Sequence, residues 1–152
     1  MKILFLSHRV PYPPNKGDKL RAFNEMKFLS RNHRIDLCCL ADNKNDMQHA
    51  HELKQYCHAV DMAYLSSSRS KIGALPALLT RTPLSLPYFY SRELQAIVDP
   101  KLQENRYDLI FNFSTSMAQY VEHVQHIPRA MDFVDVDSEK WAQYALHATF
   151  PY

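Results

Sequence analysis

Asp132, Asp135 and Asp137 stand two or three residues apart in this 152-residue chain. Carboxylates at that spacing can hold a metal, bind hydroxyl groups or supply a base. Asp135-Val136-Asp137 also fits the D-x-D pattern that chelates a metal-bound diphosphate; the plainer alternative is that Asp137 or Ser138 caps a helix. A second group gathers where a proline-stiffened loop, 10–17, enters a helix. Lys16, Gly17, Asp18, Lys19 and Arg21 combine free helix-end amides with three cations, which suits a phosphate or another anion. The alternative there is a turn capped by Asp18 with solvated lysines. Ser114 and Ser116 offer hydroxyls at a strand end, for a ligand or for capping, and no G-x-S-x-G elbow makes either a nucleophile. His8 follows the first strand directly and is a further candidate. The remaining histidines lack the helpers of a metal site and read as solvated surface; no metal is expected.

Elements must carry these residues to one place. Short apolar runs predict strands over 3–6, 35–40, 57–65, 108–113 and 129–134. Helices are expected over 18–32, 46–55, 70–79, 91–105, 117–124 and 139–147. In the first helix, Leu20, Phe23 and Met26, with Phe28 or Leu29, form the expected apolar stripe. Strands alternating with helices predict an α/β, Rossmann-like open parallel sheet of about five or more strands, with helices on both faces. With strand order 3-2-1-4-5, ligands belong beyond the carboxyl ends of strands one and four. Residues 8–18 and 112–116 would floor that crevice, with 135–138 on the adjoining strand.

Composition narrows the chemistry. Hydrophobic residues make up 46% and charged residues 22%, the balance of a folded domain. With only Gly17 and Gly73 as glycines, neither a Walker loop nor a G-x-G-x-x-G fingerprint is present. The net charge of +2 gives no reason to expect nucleic acid. Residues 1–35 nevertheless carry eight Lys or Arg against Asp18 and Glu25, whereas 130–139 carry four acids and no base. Cys38, Cys39 and Cys57 predict buried free thiols, the first two on opposite faces of a strand. The apolar run at the N-terminus is too short for a signal peptide and no stretch is long enough to span a bilayer, so a cytoplasmic protein is expected. Segment 69–81, basic at its ends and apolar between, would cover the sheet or lie against the inner face of the plasma membrane.

The opening strand and the block from His8 to Arg21 resemble the start of family 4 (group 1) glycosyltransferases with the GT-B fold. In appearance they are most similar to the sugar transferases of PEP-CTERM/exosortase exopolysaccharide systems. The block from Met131 to Trp141 resembles that family's second landmark. The resemblance implies that residues 1–152 form the N-terminal, acceptor-side half of such an enzyme. A separate C-terminal domain would bind the nucleotide-sugar donor, and the N-terminal half would be inactive alone and hold no cofactor. It implies hexosyl transfer to a polysaccharide or lipid-linked acceptor in the cleft between halves, without a bound metal. Gly17 and Asp18 would approach the donor diphosphate and acceptor. Asp135 would occupy the strand-five exit, where relatives often place an acceptor-contacting or catalytic histidine. His8, Lys16, Arg21, Ser114, Ser116, Asp137 and Ser138 complete the binding set. Two other functions fit the residues: a metal-dependent GT-A-like transferase using Asp135 and Asp137, and a non-enzymatic α/β binding module.

Overall fold

A computed structural model of the chain describes residues 1–66, 70, 73, 82–104 and 106–134. Its centre is a five-stranded sheet, β1 (Lys2–Ser7), β2 (Arg34–Ala41), β3 (Ala59–Tyr64), β4 (Leu109–Phe113) and β5 (Arg129–Asp132). Every pairing is parallel, and the order is β3-β2-β1-β4-β5, as expected. Ile3, Leu4, Phe5 and Leu6 are all fully buried, which is why β1 reads as a continuous apolar run instead of alternating.

Two apolar layers pack against the sheet, one on each face. Helix α1 (Gly17–Leu29) and the single turn α2 (Ala50–Leu53) cover the first, where Phe5, Leu37, Cys39 and Phe113 meet Ala22, Phe23, Met26 and Leu53. A 3-10 helix, Lys44–His49, precedes α2. Helix α4 (Arg92–Glu104) covers the second, bringing Leu94 and Val98 against Leu6, Cys38, Leu40 and Ile110. The turn α3 (Ser85–Tyr88) and a 3-10 helix, Thr115–Tyr120, border that layer. The adjacent Cys38 and Cys39 enter different layers, as strand alternation requires, and all three thiols are free and buried. Burial pushes the Cys38 and Cys57 thiols up to about 12.

Three details of α1 differ from the expected pattern. Lys16, not Asp18, occupies the N-cap position, and it makes no side-chain cap bond. Asp18 stands inside the first turn, where an acid faces the positive helix end. The buried stripe is Lys19, Ala22, Phe23 and Met26, while Leu20 is 47% and Phe28 66% exposed. This i, i+3, i+4, i+7 set is one face of a helix. Lys19 can join it because its ammonium reaches the Asp46 carboxylate at 2.7 Å. The expected helix over 46–55 is the 3-10 helix followed by one α-turn, and that over 117–124 is a shorter 3-10 helix. The expected helices over 70–79 and 139–147 lie outside the described residues, apart from Ser70 and Gly73.

At the amino edge of the sheet, Asp36 is buried and closes a polar clamp. Tyr107 donates its hydroxyl to Asp36 at 2.8 Å, His58 Nδ1 lies 3.0 Å away and Lys2 Nζ 3.5 Å. Burial opposes ionisation of Asp36, but these partners outweigh it and hold its carboxyl below the usual range. The clamp ties β1, β2 and the segments entering β3 and β4 into one edge. Among the described residues, no helix is long and apolar enough to cross a membrane.

Candidate functional site

The order of strands reverses at β1, which has β2 on one side and β4 on the other. Open parallel sheets bind ligands beyond the carboxyl ends of their strands at such a point. Ser7 pairs with Phe113, so the residues leaving the two strands, His8 and Ser114, emerge side by side. The His8 ring stacks on Phe113 at 5.8 Å and meets Phe89 edge-on at 5.4 Å. Its Nε2 lies 3.6 Å from Asp18 Oδ2. Burial and then the Arg9 guanidinium push the His8 pKa below its ordinary value, against the pull of Asp18. The imidazole is therefore neutral at pH 7.

Asp18 is held from several sides. Its Oδ2 accepts from Arg9 Nη1 at 2.7 Å and its Oδ1 from the Lys19 amide at 2.9 Å. Burial opposes its charge, but Arg9, that amide and His8 outweigh it and keep the carboxyl below the usual range. Arg9 Nε also comes within 3.5 Å of Asp42, which follows β2. Arg9 lies in the 8–18 segment expected to floor the crevice but was given no binding role, and Asp42 was not expected at the site. The signal for Asp42 was positional: it directly follows the buried strand β2.

At the exit of β4, Ser114 has φ 86° and ψ 141°, a conformation that favours glycine. It stands at the N-cap position of the 3-10 helix but makes no side-chain cap bond, so capping is not its role. Its Oγ lies 3.0 Å from Ser116 Oγ, and Ser116 is buried. At the next exit, β5 turns at Val134, a β-branched residue with φ 65°. The turn is held by Asp132 Oδ1, which accepts from the Val134 amide at 2.8 Å. Two strained non-glycine residues thus stand at adjacent strand exits. Such outliers cost on the order of 1–3 kcal/mol each and gather at functional sites.

The basic first helix and the acidic strand exit meet directly. Arg21 grips Asp132 with two nitrogens, Nε at 2.6 Å and Nη2 at 2.9 Å, and its Nε is 3.3 Å from Glu25. Burial, then hydrogen bonding and charge from Asp132, raise the Glu25 carboxyl to about 7. Below about pH 7, Asp132 keeps the charge and Glu25 the proton. The expected anion cradle is altered accordingly: Arg21 is engaged by Asp132 and Glu25 and Lys19 is buried with Asp46, while Lys16 and Gly17 are exposed. A Cβ on Gly17 would meet nothing within 4 Å, so the fold itself does not require glycine there. Of the acid run, Asp132 is structural, whereas Asp135, Asp137 and Ser138 lie outside the described residues. So does segment 69–81, apart from Ser70 and Gly73.

A cavity of about 700 Å³ opens at the same carboxyl edge of the sheet, on the α4 side. The end of β3, α3, the start of α4 and Gln119 form its wall. Phe89, against which His8 packs, stands between Pro87 and Tyr90, two of the lining residues. Sequence reasoning gave these residues no site role, because the cavity forms only when separate segments fold together.

Among the described residues, no three His, Cys, Asp or Glu side chains converge as metal ligands would. His49 and His123 each have a single carboxylate nearby, Glu52 at 3.6 Å and Asp99 at 3.9 Å. No family model matches this chain, and no curated protein sequence matches it.

Proposed function

We propose that this chain is the acceptor-side, Rossmann-like half of a GT-B glycosyltransferase. It would transfer a sugar from a nucleotide-sugar donor to a polysaccharide or lipid-linked acceptor. The observation that carries the reading is the meeting of His8, Asp18 and the strained Ser114 at the β1/β4 switch point. A neutral imidazole accepts a hydrogen bond from a hydroxyl, and the hydroxyls of Ser114 and Ser116 both donate and accept. The exposed start of α1, with Lys16 and Gly17, suits a diphosphate approaching the same rim. In this reading the donor nucleotide belongs to a second domain, and Asp135, Asp137 and Ser138 extend the acceptor site.

The test is an amide-resolved titration of the chain with a short-chain lipid diphosphate carrying one sugar, and separately with nucleotide-sugars. The acceptor analogue should perturb His8, Gly17 and Ser114, and the nucleotide-sugars should bind negligibly. Tight binding of a nucleotide-sugar without metal would overturn the assignment of halves. Manganese-dependent binding of a uridine nucleotide, lost in Asp135→Ala, would replace it with a GT-A-like transferase.

A further inference from the structure

The cavity on the α4 side is lined by both tyrosines and polar side chains. Its volume of about 700 Å³ falls within the roughly 300–1,000 Å³ of small-molecule sites. Tyr64 and Tyr90 bring aromatic rings to its wall, 37% and 44% exposed. Tyr90 is held in place, since its ring stacks on the fully buried Tyr120 at 5.8 Å and 13°. Tyr120 is itself fixed, donating to the Phe89 carbonyl at 2.6 Å and accepting from the Ser91 amide at 2.7 Å. Gln119 is pinned by its Nε2, which donates to the Leu86 carbonyl at 3.1 Å and the Ser116 carbonyl at 2.7 Å. Arg92 and Glu93 add one charge of each sign to the lining.

Among the described lining residues, Arg92 and Glu93 balance each other and give no net preference for a phosphate or an ammonium. Arg92 and Glu93, both exposed, would lose water without gaining a polar partner beside a lipid tail. A pyranose matches both parts, because its C–H face packs on an aromatic ring while its equatorial hydroxyls reach polar groups around it.

We propose that this cavity is a saccharide subsite in which a neutral sugar ring stacks on Tyr90 and hydrogen-bonds to Arg92, Glu93 and Gln119. Within the glycosyltransferase reading, on which the word acceptor rests, the ring is a distal unit of the acceptor. Phe89 links the subsite to His8, so a chain bound here would present its reacting end to the β1/β4 crevice.

The experiment is saturation-transfer and amide-shift NMR of the chain with lactose, cellobiose, mannobiose and N,N′-diacetylchitobiose, each at tens of millimolar. At least one should perturb Tyr90, Ser91 and Arg92. Tyr90→Phe should keep that binding and Tyr90→Ala should weaken it about tenfold, the value of one aromatic contact, with amide dispersion unchanged in both. No perturbation there by any of the four sugars overturns the subsite. So does perturbation by inorganic phosphate alone, or a Tyr90→Ala variant that is folded and binds equally well. The readouts at Tyr90 and at His8 are separate: binding here without response of His8 and Ser114 to the lipid-diphosphate analogue would leave the subsite standing and sink the transferase reading.

Discussion

Ser114 is the residue at which the cost of the candidate site is most visible. Its φ of 86° is forced by no side-chain cap and no glycine, yet it holds two buried-side hydroxyls together at the β4 exit. Ser114→Gly should therefore stabilise the fold, by about 1 kcal/mol in urea unfolding, because glycine takes this conformation without strain. The same change should weaken binding of the lipid-diphosphate analogue, since a hydroxyl is lost. A variant that is destabilised would show that Ser114 packs for the fold and carries no strain. Sequence alone placed Ser114 and Ser116 at a strand end but assigned capping as one of their two roles. A backbone angle leaves no trace in residue type when the residue is serine, so the strain was not legible. His8 was legible, because its position directly after a buried strand fixes where it emerges.

Among the elements, α1 is the one whose position was legible in the sequence but whose buried face was not. A stripe of Leu20, Phe23 and Met26 satisfies helical spacing as well as the real one does, and hydrophobicity alone favours it. What decides is Lys19, whose stem packs in the core because Asp46, on a different element, meets its charge. A partner 27 residues away is invisible to local pattern. The same helix is joined to β5 by Arg21, Asp132 and Glu25, and that junction is sensitive to pH. A carboxyl whose folded pKa is raised to about 7 contributes its stability fully below the unfolded value and loses it as pH rises through 7. Glu25→Gln should thus remove the fall in stability between about pH 4.5 and 7 and leave the protein more stable above pH 7. The gain is on the order of 1 kcal/mol once solvent screening is allowed for. Chemical denaturation at pH 5 and pH 8 reads it directly, and equal slopes for both proteins would remove Glu25 from the junction.

At the scale of the molecule, strand number and direction followed from alternation of short apolar runs with helical segments, because parallel connections need a crossover, whereas the order 3-2-1-4-5 was assumed and is the one the sheet adopts. The lateral cavity did not follow, since the end of β3, the turn α3, the start of α4 and a 3-10 helix create it together and none carries a recognisable motif. The sheet has one more property. Cys38 and Cys39 are neighbours in sequence but occupy separate apolar layers, with Cys57 in the layer of Cys39. The chain thus holds a built-in reporter for each side of its sheet, silent while that side stays shut. In a Cys57→Ala background, Cys38→Ala and Cys39→Ala leave one thiol apiece for pulsed alkylation. The two should react at the same rate if β2, shared by both layers, makes them separate from the sheet together. Unequal rates would reveal that one side breathes while the other holds, and would name the side on which a ligand gains entry.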